Sequence, residues 1–260
     1  MLPHEFGSPK HFRWQTAMRR AMLACALASG LARAGAPFQT DDPSVVAAGR
    51  AEVLVFHQST LAGDARSGTL AGLEVHVGVV ERLEIDVTGP LAFVRSATSG
   101  TSQGYGDTTL GVKYRLLDES DTALALSAVP KLVVATGRAS RGLGAGGEQL
   151  LLALSAQKSV ASVQSYATAG YWINRAPGGR DYAVLGWQLQ RAVSERWTLG
   201  IETFLMTAQS DGQSTSTGFN GGGYYAIDER NQLLFSAGRG LRNVGQGNRA
   251  SVYLGYQASF

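Results

Sequence analysis

The sequence predicts an all-β fold: a membrane-spanning, antiparallel, up-and-down barrel of about twelve strands with both termini on the periplasmic side. Three observations carry this expectation. From Gly49 onward the apolar residues recur mostly at every second position, and no stretch has the period of a helix. The connections between the alternating stretches are by turns short and long. The stretch Arg249 to Phe260 puts Ala250, Val252, Leu254, Tyr256, Ala258 and Phe260 on one side of a strand and Ser251, Tyr253, Gly255, Gln257 and Ser259 on the other. Successive strand side chains point to opposite faces, so this stretch has one apolar and one small or polar face. Its closing aromatic suits a membrane–water boundary.

In chain order, residues 1–34 form an upstream extension and a secretory signal peptide. Arg19-Arg20 precede an apolar run from Ala21 to Ala32, and Ala32-Arg33-Ala34 supplies an A-x-A cleavage site after Ala34. Met1 and Met18 are both candidate starts. Cys25, the one cysteine, lies inside the signal, so the exported chain would have no disulfide, Cys metal site or Cys nucleophile. Residues 35–48, with Pro37 and Asp41-Asp42-Pro43, read as an exposed periplasmic lead-in. Residues 49–260 are the barrel.

The expected strands are 50–60, 70–80, 82–95, 105–117, 122–136, 148–158, 162–174, 181–192, 196–208, 216–227, 231–240 and 249–260. Glu81, Asp118 to Asp121, Ser159 to Ala161, Val193 to Glu195 and Asp228 to Arg230 are the short turns. The connections near 61–69, 96–104, 137–147, 175–180, 209–215 and 241–248 are longer and rich in Gly, Ser, Asn or Arg. An even strand number with short turns on one side and longer loops on the other is the habit of bacterial outer-membrane barrels. The final strand is then expected to pair with 50–60 and leave no edge.

The faces follow. Leu110, Val112, Tyr114 and Leu116 oppose Asp107, Thr109, Gly111, Lys113 and Arg115; Leu83, Ile85 and Val87 oppose Glu84, Asp86 and Thr88; Trp197, Leu199 and Ile201 oppose Thr198, Gly200 and Glu202. In a barrel the apolar faces meet lipid and the polar ones line the lumen. Tyr114, Tyr171, Trp187, Trp197, Tyr225, Tyr256 and Phe260 are expected outside, and Tyr166, Trp172, Phe204 and Tyr253 inside. The inner four would line a route for an aromatic solute or pack the lumen.

Composition excludes several functions. The net charge is +3 with no basic patch, which argues against nucleic acid. No apolar run is long enough for a membrane helix. Gly144 to Gly147 and Gly221 to Gly223 lack the Lys and Ser/Thr of a phosphate loop, so no cofactor is expected. His57 and His76 are the only histidines after the signal, too scattered for a metal site. His57-Gln58-Ser59 has no evident orienting carboxylate, so a hydrolase is the weakest reading and no catalytic residue is assigned.

The inward charges are the functional candidates: Glu74, His76, Glu84, Asp86, Asp107, Lys113, Arg115, Lys131 and Glu202. A tight turn at Glu81 sets His76 opposite Asp86. Continuing that register places Asp86 near Lys113, Glu84 near Arg115 and Asp107 near Lys131. Such a ladder can tune which solute passes, or simply stabilise the wall by about 0.2–1 kcal/mol for each cross-strand pair.

Two resemblances add to this reading. Tyr253, Gly255, Ala258 and Phe260 resemble the assembly signal of outer-membrane barrels, which implies the barrel assembly machinery and outer-membrane lipid as partners. The body resembles a family of outer-membrane proteins named after the meta-cleavage pathway of phenol degradation. The residues that carry this are Pro37 to Asp42, Gly49 to Val53, Gly106 to Arg115, Ala135-Thr136-Gly137, Leu233 to Leu241 and the last strand. Ala135 stands where the family usually has Pro. The resemblance implies a channel or transporter for passive passage of a small solute, aromatic or hydrophobic solutes included. The competing expectation is a structural or adhesive barrel with a filled lumen.

Overall fold

A computed structural model describes residues 36–97, 100–244 and 248–260; the signal placed at 1–34 lies outside them. Its strands are β1 (Ala51–Ala62), β2 (Ala65–Val80), β3 (Leu83–Ser96), β4 (Gly100–Tyr105), β5 (Thr108–Leu117), β6 (Ala125–Ala128), β7 (Lys131–Val134), β8 (Gln149–Val160), β9 (Val163–Asn174), β10 (Tyr182–Ala192), β11 (Trp197–Met206), β12 (Ser216–Ala226), β13 (Asn231–Arg242) and β14 (Ala250–Ser259). They build twelve antiparallel staves, because β4 with β5 and β6 with β7 are two interrupted staves. The second is interrupted at Val129-Pro130, where proline has no N–H to give a ladder. The last strand closes on the first, from Glu52 opposite Ser259 to Leu61 opposite Ala250. Closure satisfies the backbone within the sheet, the condition for crossing hydrocarbon with strands.

The faces are inverted relative to a water-soluble sheet. On β11, Ile201 is 64% exposed, whereas Glu202 beside it is 3% exposed. Likewise Val112 and Tyr114 stand outside and Lys113 between them is buried; Ile85 and Val87 stand outside and Glu84 and Asp86 are buried. Tyr171, Trp187, Tyr256 and Phe260 are exposed on the outer surface, and Trp197 leans on Tyr225 with ring centres 4.7 Å apart. An outer surface this apolar belongs in lipid. Of the four inward aromatics, Tyr166 and Phe204 are buried, Trp172 stacks on Tyr182, and Tyr253 stacks on Phe56.

Two expected loops are largely strand. β1 and β2 run on to a turn at Gly63-Asp64, and β4 resumes at Gly100. This changes the register of the charge ladder. The hairpin of β3 and β4 pairs Leu91 with Tyr105, one extra residue is absorbed at Gly106-Asp107, and β5 then pairs Thr109 with Thr88. Glu84 therefore faces Lys113, and Asp86 faces Gly111. The expected pairing of Asp86 with Lys113 and Glu84 with Arg115 is off by one inward position.

The short turn after β12 is closed by Asp228, whose Oδ1 accepts the backbone N–H of Arg230 at 2.8 Å and of Asn231 at 2.9 Å. The Arg230 backbone bond, with the Asn231 contacts, holds this carboxyl below its ordinary range.

Candidate functional site

Residues 36–46 lie inside the barrel. They were expected as an exposed lead-in, but Phe38, Thr40, Asp42 and Val46 are buried, Thr40 completely. The segment is polar and irregular, and at membrane depth such a backbone persists only inside protein or along a water-filled lumen. Its peptide groups are paired by side chains of the wall. Glu84 of β3 accepts Val46 N at 2.6 Å, Ser127 of β6 donates to the Pro43 carbonyl, and Ser155 of β8 and Thr168 of β9 donate to the Asp41 carbonyl. Glu202 of β11 accepts Gln39 N at 2.9 Å, Thr40 N at 2.9 Å and Thr40 Oγ1 at 2.9 Å. Ser236 of β13 donates to the Pro37 carbonyl at 2.7 Å, and Tyr224 of β12 donates to the Ala36 carbonyl at 3.3 Å. The segment is thus an inner strap fastened around most of the wall.

Space and charge both fit this strap. A Cβ on Gly78 would lie 2.1 Å from the Ala47 carbonyl oxygen, and one on Gly186 would lie 2.5 Å from Thr40 Oγ1. Phe38 packs with Leu54, Phe56, Tyr224 and Leu234 in one of two apolar clusters on the inner side of the wall. Burying such a ring stabilises by about 1.5–3 kcal/mol. Asp41 accepts Lys131 Nζ at 2.8 Å and pairs with Lys113 Nζ at 3.1 Å, and Asp42 lies 3.9 Å from Lys113. A buried charge without a partner costs several kcal/mol, so strap and wall neutralise one another.

The strap leaves a cavity of about 440 Å³. Its lining includes five carboxylates, those of Asp41, Asp42, Glu52, Glu74 and Asp86, against the lysines Lys113 and Lys131. His76 stands opposite Asp86, with Nδ1 2.8 Å from Glu84 Oε1 and Nε2 3.2 Å from Glu74 Oε1. The structure therefore gathers Glu74, His76, Glu84, Asp86, Lys113 and Lys131 in one region of the lumen. Glu202 lies with Asn220, which donates to it, at the strap's other anchor.

Two candidates fall elsewhere. Asp107 does not face Lys131; the interruption between β4 and β5 turns it to the loop end, where it accepts Gly137 N at 2.8 Å and Ala145 N at 2.6 Å. Arg115 is near the short-turn end of β5, across from Ser127, with a buried Nε that has no acceptor among the described residues. His57 and Ser59 do not act together: His57 stacks on Phe93, and Ser59 accepts Arg66 Nε at 2.6 Å. Gly144 and Gly147 belong to the loop that Asp107 orders, whereas Gly222 and Gly223 lie in β12, where neighbouring carbonyls approach within 2.2 and 2.0 Å of a Cβ position.

Sequence reasoning missed the strap and with it Gln39, Thr40, Asp41 and Asp42. A usable signal existed: two lumenal lysines require counter-charges, and an adjacent polar stretch offers an acidic pair.

The fold is that of known outer-membrane barrels. The "COG4313 outer membrane channel from Pseudomonas putida F1" superposes with a TM-score of 0.70 at 18% identity, covering 84% of this chain and 98% of that one. The "KdgM porin" gives 0.57 at 12% identity, covering 80% and 99%. The "Translocator domain of autotransporter NalP from Neisseria meningitidis" gives 0.53 at 12%, covering 95% and 98%. A search of the curated proteins found no match. Residues 34–254 match the family described as "Putative MetA-pathway of phenol degradation", and the chain belongs to that family.

Proposed function

We propose that the protein is an outer-membrane channel through which small solutes pass beside the inner strap, with both chain termini on the periplasmic side. The observation that carries this is the cavity of about 440 Å³ inside a closed barrel, with five carboxylates against two lysines along it. A narrow lumen with surplus negative charge attracts cations and holds off anions. The reading accordingly favours small cationic or polar solutes over aromatic ones, since the inward aromatics are engaged in packing the wall. Lys113 tempers the surplus by placing one positive charge beside Asp41 and Asp42.

The test is planar-bilayer recording of the purified protein. Discrete current steps are expected, with a reversal potential under a KCl gradient that favours potassium, and Lys113→Ala is expected to increase that preference. An anion-selective current would overturn the proposed charge filter. The second reading, a filled barrel with a structural role, is favoured by the strap's many anchors; it predicts no current from the unaltered protein and a current only once the strap is replaced.

The match of Tyr253, Gly255, Ala258 and Phe260 to an outer-membrane assembly signal supports recognition by the barrel assembly machinery. Removing Phe260 is expected to lower the folded, membrane-inserted fraction in cells, read as the heat-modifiable band on a gel. An unchanged folded fraction would remove Phe260 from this role.

A further inference from the structure

The cluster around His76 has a feature that packing alone does not account for. Asp86 is 5% exposed and lines the cavity, yet among the described residues no donor lies within hydrogen-bonding distance of its carboxylate. Lys131 is near enough to act on it through space, but its ammonium donates to Asp41. A buried, unpaired carboxylate is costly and calls for a positive partner. Beside it stand further ligand atoms: one nitrogen of His76 and one oxygen each of Glu84 and Asp86 lie within 4.8 Å of one another.

We propose that His76, Glu84 and Asp86 form a binding site for one divalent first-row transition metal ion such as Zn²⁺, with Glu74 positioning the imidazole. The Nδ1 atom of His76 is the one that faces Glu84, at 2.8 Å, so it is the ligand nitrogen. Nε2–H is then free to donate to Glu74 Oε1, 3.2 Å away. A carboxylate on the far nitrogen is the usual device for fixing the tautomer and orientation of a metal-binding histidine. One imidazole and two carboxylates suit zinc and its neighbours, whereas calcium and magnesium take oxygen ligands. The three protein ligands leave room for water from the cavity. The cation adds positive charge where carboxylates outnumber lysines. Glu84 also holds the strap, accepting Val46 N through Oε2 at 2.6 Å, so the ion and the strap share a ligand side chain.

The experiment uses the full barrel, folded in detergent, treated with a chelator and titrated with Zn²⁺ by calorimetry. One ion per chain is expected. His76→Gln and Asp86→Asn are each expected to abolish that stoichiometric binding, Glu74→Gln to weaken it about 10–100-fold, and His57→Gln to leave it unchanged. Heat-modifiable gel mobility establishes that each variant is folded. X-ray absorption at the zinc edge of the wild-type complex, which needs no variant, is expected to show mixed nitrogen and oxygen ligation. Absence of stoichiometric binding to the wild type would overturn the proposal. So would full binding by folded His76→Gln or Asp86→Asn, or a shell of oxygen alone.

Discussion

Replacing residues 36–46 with a Gly-Ser segment of equal length is expected to raise single-channel conductance several-fold. The strap occupies the lumen with the bulk of Phe38 and with a backbone anchored to β3, β6, β8, β9, β11, β12 and β13. A Gly-Ser chain has no Phe38 to seat against Leu54 and Tyr224 and no carboxylate for Lys113 and Lys131. It would behave as a flexible coil rather than as a fixed constriction. Loss of Asp41 and Asp42 also removes two of the five carboxylates that line the cavity, while both lysines stay. The larger current should therefore discriminate less between potassium and chloride. Planar-bilayer recording reads both quantities. A conductance equal to that of the unaltered protein would show that the constriction lies elsewhere.

Glu202→Ala is expected to cost roughly 3 kcal/mol of stability, the penalty of stranding buried donors. The carboxylate is 3% exposed and takes donors from Gln39 N, Thr40 N, Thr40 Oγ1 and Asn220 Nδ2. Alanine leaves these facing an apolar methyl group at the centre of the wall. Glu202→Gln retains one acceptor oxygen and should cost less. The measurement is the urea midpoint of the folded barrel, followed by tryptophan fluorescence in lipid vesicles. The same Glu202→Ala protein should show frequent current steps, because a strap released at Gln39 and Thr40 keeps only its remaining anchors. A midpoint like that of the parent would mean that water satisfies these donors and that Glu202 is not an anchor.

The barrel was legible because its signal is repeated along the whole chain. Period-two alternation in segments such as Leu110 to Leu116 assigns faces, and the alternation of turns and loops fixes the stave count. The His76–Asp86 pairing was legible because a tight turn at Glu81 dictates it. The next rung was not, since the register of β5 depends on one residue absorbed at Gly106-Asp107, which has no sequence mark beyond a glycine. The strap was misread for a different reason. Polar, proline-containing sequence ordinarily belongs in water, so Thr40 and Asp41 read as exposed. In a membrane barrel the interior is the polar side, and the usual equation of polarity with exposure fails there.

The bonds between Glu202 and residues Gln39 and Thr40 join positions 163 and 162 apart in sequence. That separation sets an order of events in time. The strap's anchors reach from β3 to β13, so no partly built sheet can hold it fully, and closing such long loops is slow. The wall must come together around water, with Lys113, Lys131 and Glu202 still hydrated. Seating of the strap then replaces part of that water with the wall's bonds to residues 36–46. Insertion into the bilayer and completion of the lumen are thus separable steps, the first governed by the outer surface and the second by eleven residues.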